Sequence, residues 1–189
     1  MSDDEMVFAN RAAAGEALAT ALMRHQANDP LILGIPRGGV PVAAAVARRL
    51  GAELDVAVAR KLGVPEQPEL AMGAVTADGG LYLDRDIVAR HDVTEAQVAA
   101  AIARETAEAQ AREQRFRGAR PQPRMTDRTV IVVDDGLATG ATLRATLRAV
   151  RAQGPGRLVA AVPVGPRETF EELQGAADEV VCLAMPEPF

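Results

Sequence analysis

The run VIVVDDGLATGAT at residues 130–142 passes from a continuous apolar, β-branched stretch straight into two carboxylates and then into a small-residue turn that opens a helix. A strand without polar alternation is buried on both faces, which requires a mainly parallel sheet covered by helices on each side. The rest of the chain fits that demand. Apolar runs at 31–35, 53–60, 158–164 and 180–183 predict further strands, and the 3.6-residue patterns at 11–27, 40–50, 141–153 and 168–174 predict the helices between them. Asn10 is placed to cap the first helix, while Arg48, Arg49 and Gly51 mark the end of the second.

The middle of the chain departs from simple alternation. Residues 62–70, with Gly63, Pro65 and Pro68, predict a Pro-rich loop long enough to act as a lid. Residues 71–83 predict two strands around an Asp78-Gly79-Gly80 turn. Asp84 caps a short helix to Arg90, and Thr94 with Gln97 predicts a capping box for a long helix reaching Arg117. Glu108 with Arg112 and Glu113 with Arg117 then pair at i,i+4 on a mostly solvated surface. Residues 84–128 read as a helical insertion and connector within one domain spanning 1–189.

Composition narrows the function. The net charge of −5, from 21 basic and 26 acidic residues, offers no cationic face for nucleic acid or an anionic membrane. Aromatic residues are 3% of the chain, too few for a stacking platform that binds single strands. The single Cys182 excludes an internal disulfide and a multi-cysteine zinc site, and MSDDEM is not a secretory start, so a cytoplasmic protein is expected. Cys182 itself reads as a small core residue of the last strand, Met72, Met125 and Met185 as packing, and His25 and His91 as surface residues at helix ends.

In parallel sheets ligands collect at the carboxyl ends of the strands, here the loops after Ile35, Arg60, Val133 and Val164. In the 130–142 motif Gly136 and Gly140 let backbone approach a ligand, and the amides of the following helix attract an anion. Thr139 and Thr142 add hydroxyl donors. The spacing lacks the lysine of a triphosphate cradle, which leaves a smaller anion such as one phosphate monoester. Asp134 and Asp135 would repel that phosphate directly, so they accept hydrogen bonds from adjoining sugar hydroxyls or hold hydrated Mg²⁺. A plain helix cap and corner is the alternative, and the length and contiguity of the motif weigh against it. Arg37 with Gly38 and Gly39 supplies a cation and amides before another helix, a setting suited to a diphosphate. Of the 21 basic residues only Lys61 is a lysine, consistent with a place that needs a compact ammonium. The acidic pair also resembles the start of a phosphorylated receiver domain, but only 54 residues follow it.

The 130–142 segment resembles the signature of the type I phosphoribosyltransferases, which bind 5-phosphoribosyl-1-pyrophosphate (PRPP). FANRAAAGEALA at 8–19, the stretch LILGIPRGGV onward over 31–75, and GPGRLVAAVPVGPRETFEEL at 154–173 are similar to a bacterial branch of that superfamily. The resemblance implies a Rossmann-like fold with a small hood from terminal segments. It also implies Mg²⁺-dependent transfer of the phosphoribosyl group from PRPP to a small nitrogenous acceptor, with release of pyrophosphate. Asp134 and Asp135 would contact the ribose diol and the metal, and Gly136, Leu137, Ala138, Thr139, Gly140, Ala141 and Thr142 the 5-phosphate. Arg37, Gly38 and Gly39 would hold the pyrophosphate, with Arg60 and Lys61 adding cations to it, so that Arg37, Lys61, Asp134 and Asp135 carry the chemistry. Val164 and Arg167 follow as acceptor candidates. Ala138 stands where hypoxanthine and guanine enzymes carry an acid, which makes the motif closer to the adenine type. A PRPP-responsive regulator without turnover is the alternative function, and a homodimer stays open as the assembly.

Overall fold

The computed structural model describes residues 8–137 and 140–187. In chain order the elements are α1 (Arg11–Leu22), β1 (Leu31–Gly34), α2 (Gly39–Leu50), β2 (Glu53–Val56), β3 (Ala59–Val64), β4 (Gln67–Thr76), β5 (Leu81–Leu83), α3 (Arg85–Arg90), α4 (Glu95–Arg117), β6 (Thr129–Val133), α5 (Ala141–Arg151), β7 (Arg157–Val164), α6 (Arg167–Leu173) and β8 (Glu179–Ala184). Five strands pair all-parallel in the order β2-β1-β6-β7-β8, the α/β arrangement that the apolar runs require. Side chains alternate across it. Leu33, Val130, Val132 and Leu158 face α5 and α6, where they pack with Leu143, Leu147 and Leu173. Ile32, Ile131, Val133 and Val159 face α1 and α2, where Leu18, Leu22, Val42 and Val46 close the other side. Each such buried side chain contributes roughly 1.5–3 kcal/mol, so both faces hold the sheet rigid beneath its loops.

The run 53–60 folds differently from the single strand expected of it. It leaves the parallel sheet at Ala57, whose N–H donates to the Gly34 carbonyl, and enters a second sheet at Ala59. Ala57 and Val58 are buried in the crossing, so the apolar pattern has no break to betray the change. The second sheet is antiparallel, in the order β3-β4-β5. Residues 62–70 are therefore not an irregular loop. They form the tip of a hairpin in which Val64 pairs with Gln67, and the register shifts around Gly63 relieve the ladder where Pro68 has no donor. The Asp78-Gly79-Gly80 turn forms as expected, but β4 reaches back to Gln67.

Helix α4 carries the expected Thr94–Gln97 capping box. Its inner side buries Ala101, Glu105, Ala109 and Arg117, which dock it on β3, β4 and β2. This middle segment stands beside the carboxyl edge of the parallel sheet, where Arg112 of α4 reaches the Pro36 carbonyl. At the amino end, α1 stops at Leu22 and continues as a 3-10 turn, Met23–Asn28, where an α-helix to 27 was expected. Among the described residues no helix is long and apolar enough to cross a membrane.

His25 is buried, against its expected place on the surface, with Nε2 at 3.2 Å from Glu179 Oε2. Met72 and Met125 are core residues, and Cys182 lies half-buried on β8, where burial pushes its thiol up. Burial alone would raise the Glu179 carboxyl, but hydrogen bonds from Arg24 and Arg157 and the charges of His25 and Arg24 bring it down to about 2. A carboxyl held below its unfolded value stabilises the fold above that value and loses the contribution as pH falls through the folded one. Glu179→Gln is thus expected to cost about 1–2 kcal/mol near neutral pH, since both arginine partners are half exposed, and progressively less from pH 4.5 toward 2. Urea titrations of both proteins at pH 7 and pH 3 check this; an equal loss at both pH values would contradict it.

Candidate active site

Two loops meet at the carboxyl edge where neighbouring strands β1 and β6 end. Ile35 N–H donates to the Val133 carbonyl at 2.9 Å, and Gly39 N–H returns to the Ile35 carbonyl at 3.0 Å to start α2. Between them the Pro36–Arg37 peptide is cis. Glycine is required here by the approach of the second loop: a Cβ on Gly38 would lie 2.0 Å from Asp135 Oδ2, and one on Gly39 2.6 Å from the Val133 carbonyl oxygen. The structure therefore places Gly38 and Gly39 against Asp134 and Asp135. Arg37 is exposed and has no ion-pair partner among the described residues.

The acidic pair is half-buried. Asp134 Oδ1 accepts the Asp135 N–H at 2.9 Å. Burial, together with the Asp135 charge, pushes the Asp134 carboxyl up to about 7 despite that hydrogen bond. Asp135 is held by a cation the sequence reading did not single out: Arg11 Nη2 and Nε both donate to its Oδ2, at 2.7 and 2.9 Å. Beyond the pair, Leu137 is buried and its N–H donates to the Val164 carbonyl at 2.8 Å, so this residue braces the loop. Gly136 lies beside Val164 as well. Ala138 and Thr139 fall outside the described residues. Gly140 has φ +66°, the left-handed region, and a Cβ there would meet Thr169 at 2.5 Å; Ala141 then opens α5, with Thr142 exposed at its first turn.

Arg60 and Lys61 lie in β3 and line a cleft of about 750 Å³ between the β3–β4 hairpin, α4 and the start of α5, where Thr142 reaches the same space. Their charges are engaged: Arg60 donates to Glu105 at 3.0 Å, and Lys61 to Glu69 at 3.2 Å. Arg112 also lines the cleft. Instead of the expected i,i+4 pair with Glu108, it donates to the Pro36 carbonyl at 3.4 Å and so ties α4 to the first loop. The expected pair of Glu113 with Arg117 does form, at 2.9 Å. The site residues thus fall into two neighbouring groups, the loops around Asp135 and the cleft. Arg11 and Arg112 escaped notice because charged helix residues at ordinary spacing give no sign of what they face. Arg167, at the start of α6, stands 3.9 Å from Glu187.

The donor set is informative about a metal. Among the described residues no group of three or more acids, histidines or cysteines gathers into a cage. Two adjacent half-buried carboxylates, Asp134 and Asp135, fit Mg²⁺, which keeps several waters and needs only one or two carboxylates from the protein.

The profile of the phosphoribosyl transferase domain matches residues 5–186. The chain is 46% identical, over 97% of its own length and 41% of theirs, to the proteins named "Putative phosphoribosyl transferase" in Mycobacterium tuberculosis strains H37Rv and CDC 1551. It therefore spans about two-fifths of the curated relatives it matches. Its fold is similar to the crystal structure of TT1426 from Thermus thermophilus, with 44% identity, a TM-score of 0.87, and coverage of 96% of this chain and 86% of that one. A hypoxanthine-guanine phosphoribosyltransferase of Bacillus anthracis shares the fold at 14% identity and a TM-score of 0.52, over 94% of this chain and 80% of that one. With a family profile spanning nearly its whole length and the two loops meeting at the carboxyl edge of a parallel sheet, the chain belongs to the phosphoribosyl transferase domain family.

Proposed function

We propose that the chain binds PRPP and transfers its 5-phosphoribosyl group to a small nitrogenous acceptor, releasing pyrophosphate. The observation that carries this reading is the junction of the Arg37-Gly38-Gly39 loop with the Asp134–Asp135 pair, which brings the two glycines beside the exposed Arg37 against a pair of carboxylates. Arg37 and the amides opening α2 take the pyrophosphate, the acidic pair accepts from the ribose hydroxyls, and the turn opening α5 takes the 5-phosphate. As the bond from ribose C1 to pyrophosphate oxygen breaks, its electron pair leaves with the pyrophosphate and positive charge builds on the sugar. The acceptor nitrogen closes the new C1–N bond with its lone pair and gives up its proton to solvent. Arg37 stabilises the leaving group where its charge grows, and the cleft cations Arg60, Lys61 and Arg112 join it by exchanging Glu105, Glu69 and the Pro36 carbonyl for pyrophosphate oxygens. Asp134 and Asp135 would hold Mg²⁺ together with substrate oxygens, and the ion would supply further neutralisation of the pyrophosphate.

Val164, beside Gly136, and Arg167 at the start of α6 are the acceptor-side candidates. No aromatic residue lines the cleft among the described residues, and Tyr82 is already stacked under Arg148 at 4.2 Å. Pyrophosphate release from PRPP and Mg²⁺ across nucleobases and small amines tests the proposal. Release that depends on one acceptor, and falls more in kcat than in PRPP affinity for Lys61→Ala, is the expected result. Tight PRPP binding without release in the presence of any acceptor would instead favour a PRPP-responsive regulator.

A further inference from the structure

We infer that Arg11 is a positioning residue that acts through Asp135, holding this carboxylate against the Arg37-Gly38-Gly39 loop so that the acidic pair meets the sugar of the bound substrate in one fixed orientation. The inference rests on the functional reading above and assigns to α1 a part in it.

Three observations converge on Arg11. Both of its forked donors fall on the same oxygen, Asp135 Oδ2, from a position 124 residues away in the chain. That oxygen sits directly over Gly38, so the carboxylate is confined between a guanidinium on one side and the first loop on the other. Local helix physics gives no reason for an arginine here. The first turn of α1 carries no acidic residue, and the positive end of the helix dipole disfavours a cation there. A residue placed against its local preference, with its donors on a site residue, points to a role in the site.

The base of Arg11 is also well fixed. Asn10 caps the helix by accepting the Ala13 N–H at 2.9 Å, and Leu18, Ala19 and Leu22 are fully buried against α2 and the sheet. The guanidinium therefore swings from an anchored helix end. Its side chain is 60% exposed and that of Asp135 32%, so the pair contributes little to stability and its value lies in orientation.

The test is calorimetric titration of PRPP with Mg²⁺ into the wild type, Arg11→Ala, Arg11→Lys, Asp135→Asn and the Arg11→Ala/Asp135→Asn double variant, with thermal melting of each protein alone. Arg11→Ala should weaken PRPP binding by about 10-fold or more, the size of a lost charge-assisted contact, with the ligand-free melting temperature unchanged. Lysine should restore part of the affinity, because it keeps the charge but not the fork. In the Asp135→Asn background the loss of Arg11 should cost nothing further, and in turnover the KM for PRPP should rise more than kcat falls. Wild-type affinity in Arg11→Ala, or losses that add in the double variant, would overturn the inference while leaving the functional reading intact. A wild type that ignores PRPP overturns that reading and this inference with it.

Discussion

Asp134→Asn should make the ligand-free protein more stable at pH 8 while abolishing its binding of PRPP. Burial and the neighbouring Asp135 charge raise the Asp134 carboxyl from 3.8 to about 7, so ionising it costs more in the fold than in the unfolded chain. The sign follows from linkage: the native state loses stability as pH climbs from 3.8 through about 7, and above that the full penalty is present. Asparagine removes the charge but keeps the oxygen that accepts the Asp135 N–H. A gain on the order of 2–4 kcal/mol is expected at pH 8, vanishing near pH 4, and readable as a rise in Tm of roughly 5–10 °C. Equal melting temperatures at pH 8, or a gain that does not depend on pH, would contradict it. Strain of this kind, kept in a place where a neutral residue would fold better, marks a group retained for what it binds.

The second large effect lies away from the loops. Arg117, at the end of α4, is 8% exposed and meets Asp55 of β2 with Nη2 to Oδ2 at 2.6 Å and Nε to Oδ1 at 3.1 Å, while Nη1 reaches Glu113 at 2.9 Å. Arg117→Met leaves the buried Asp55 and the half-buried Glu113 without their cation, and a loss of about 3–5 kcal/mol in urea titration is expected. Burial already pushes the Glu113 carboxyl up against the opposing pull of Arg117, so without that pull it rises further and the variant should recover stability as pH falls. A loss under about 1 kcal/mol would show that α4 is held by its apolar contacts alone. The effect reaches the site because the same helix carries Glu105 and Arg112 into the cleft.

Legibility in the sequence followed periodicity. Strands such as Thr129–Val133 lie between two helical layers, so both faces are apolar and the pattern announces a parallel sheet. The loops around Gly38 and Asp135 were readable for a related reason, since small residues after a buried strand and before a helix mark backbone approaching backbone. The second sheet was not. Ala57 and Val58 stay buried while the chain changes sheets, and Pro65 and Pro68 look like loop punctuation although they sit at a hairpin tip and beside a bulge. Long-range charge pairing was equally hidden. Arg11 to Asp135, Arg117 to Asp55 and His25 to Glu179 join residues far apart in sequence, and nothing in local spacing encodes which partner the fold will supply.

The claim underlying the account is that the Arg37-Gly38-Gly39 loop and the Asp134–Asp135 loop grip one ligand between them. Thermal unfolding of the wild type with PRPP and Mg²⁺ tests it most directly, run beside pyrophosphate alone and a ribose 5-phosphate control. Occupying both loops at once, PRPP at about 100 times its dissociation constant should stabilise the protein by about 2.7 kcal/mol, and either fragment at the same concentration by much less. A melting temperature unmoved by PRPP, or moved no further than by pyrophosphate alone, would contradict it.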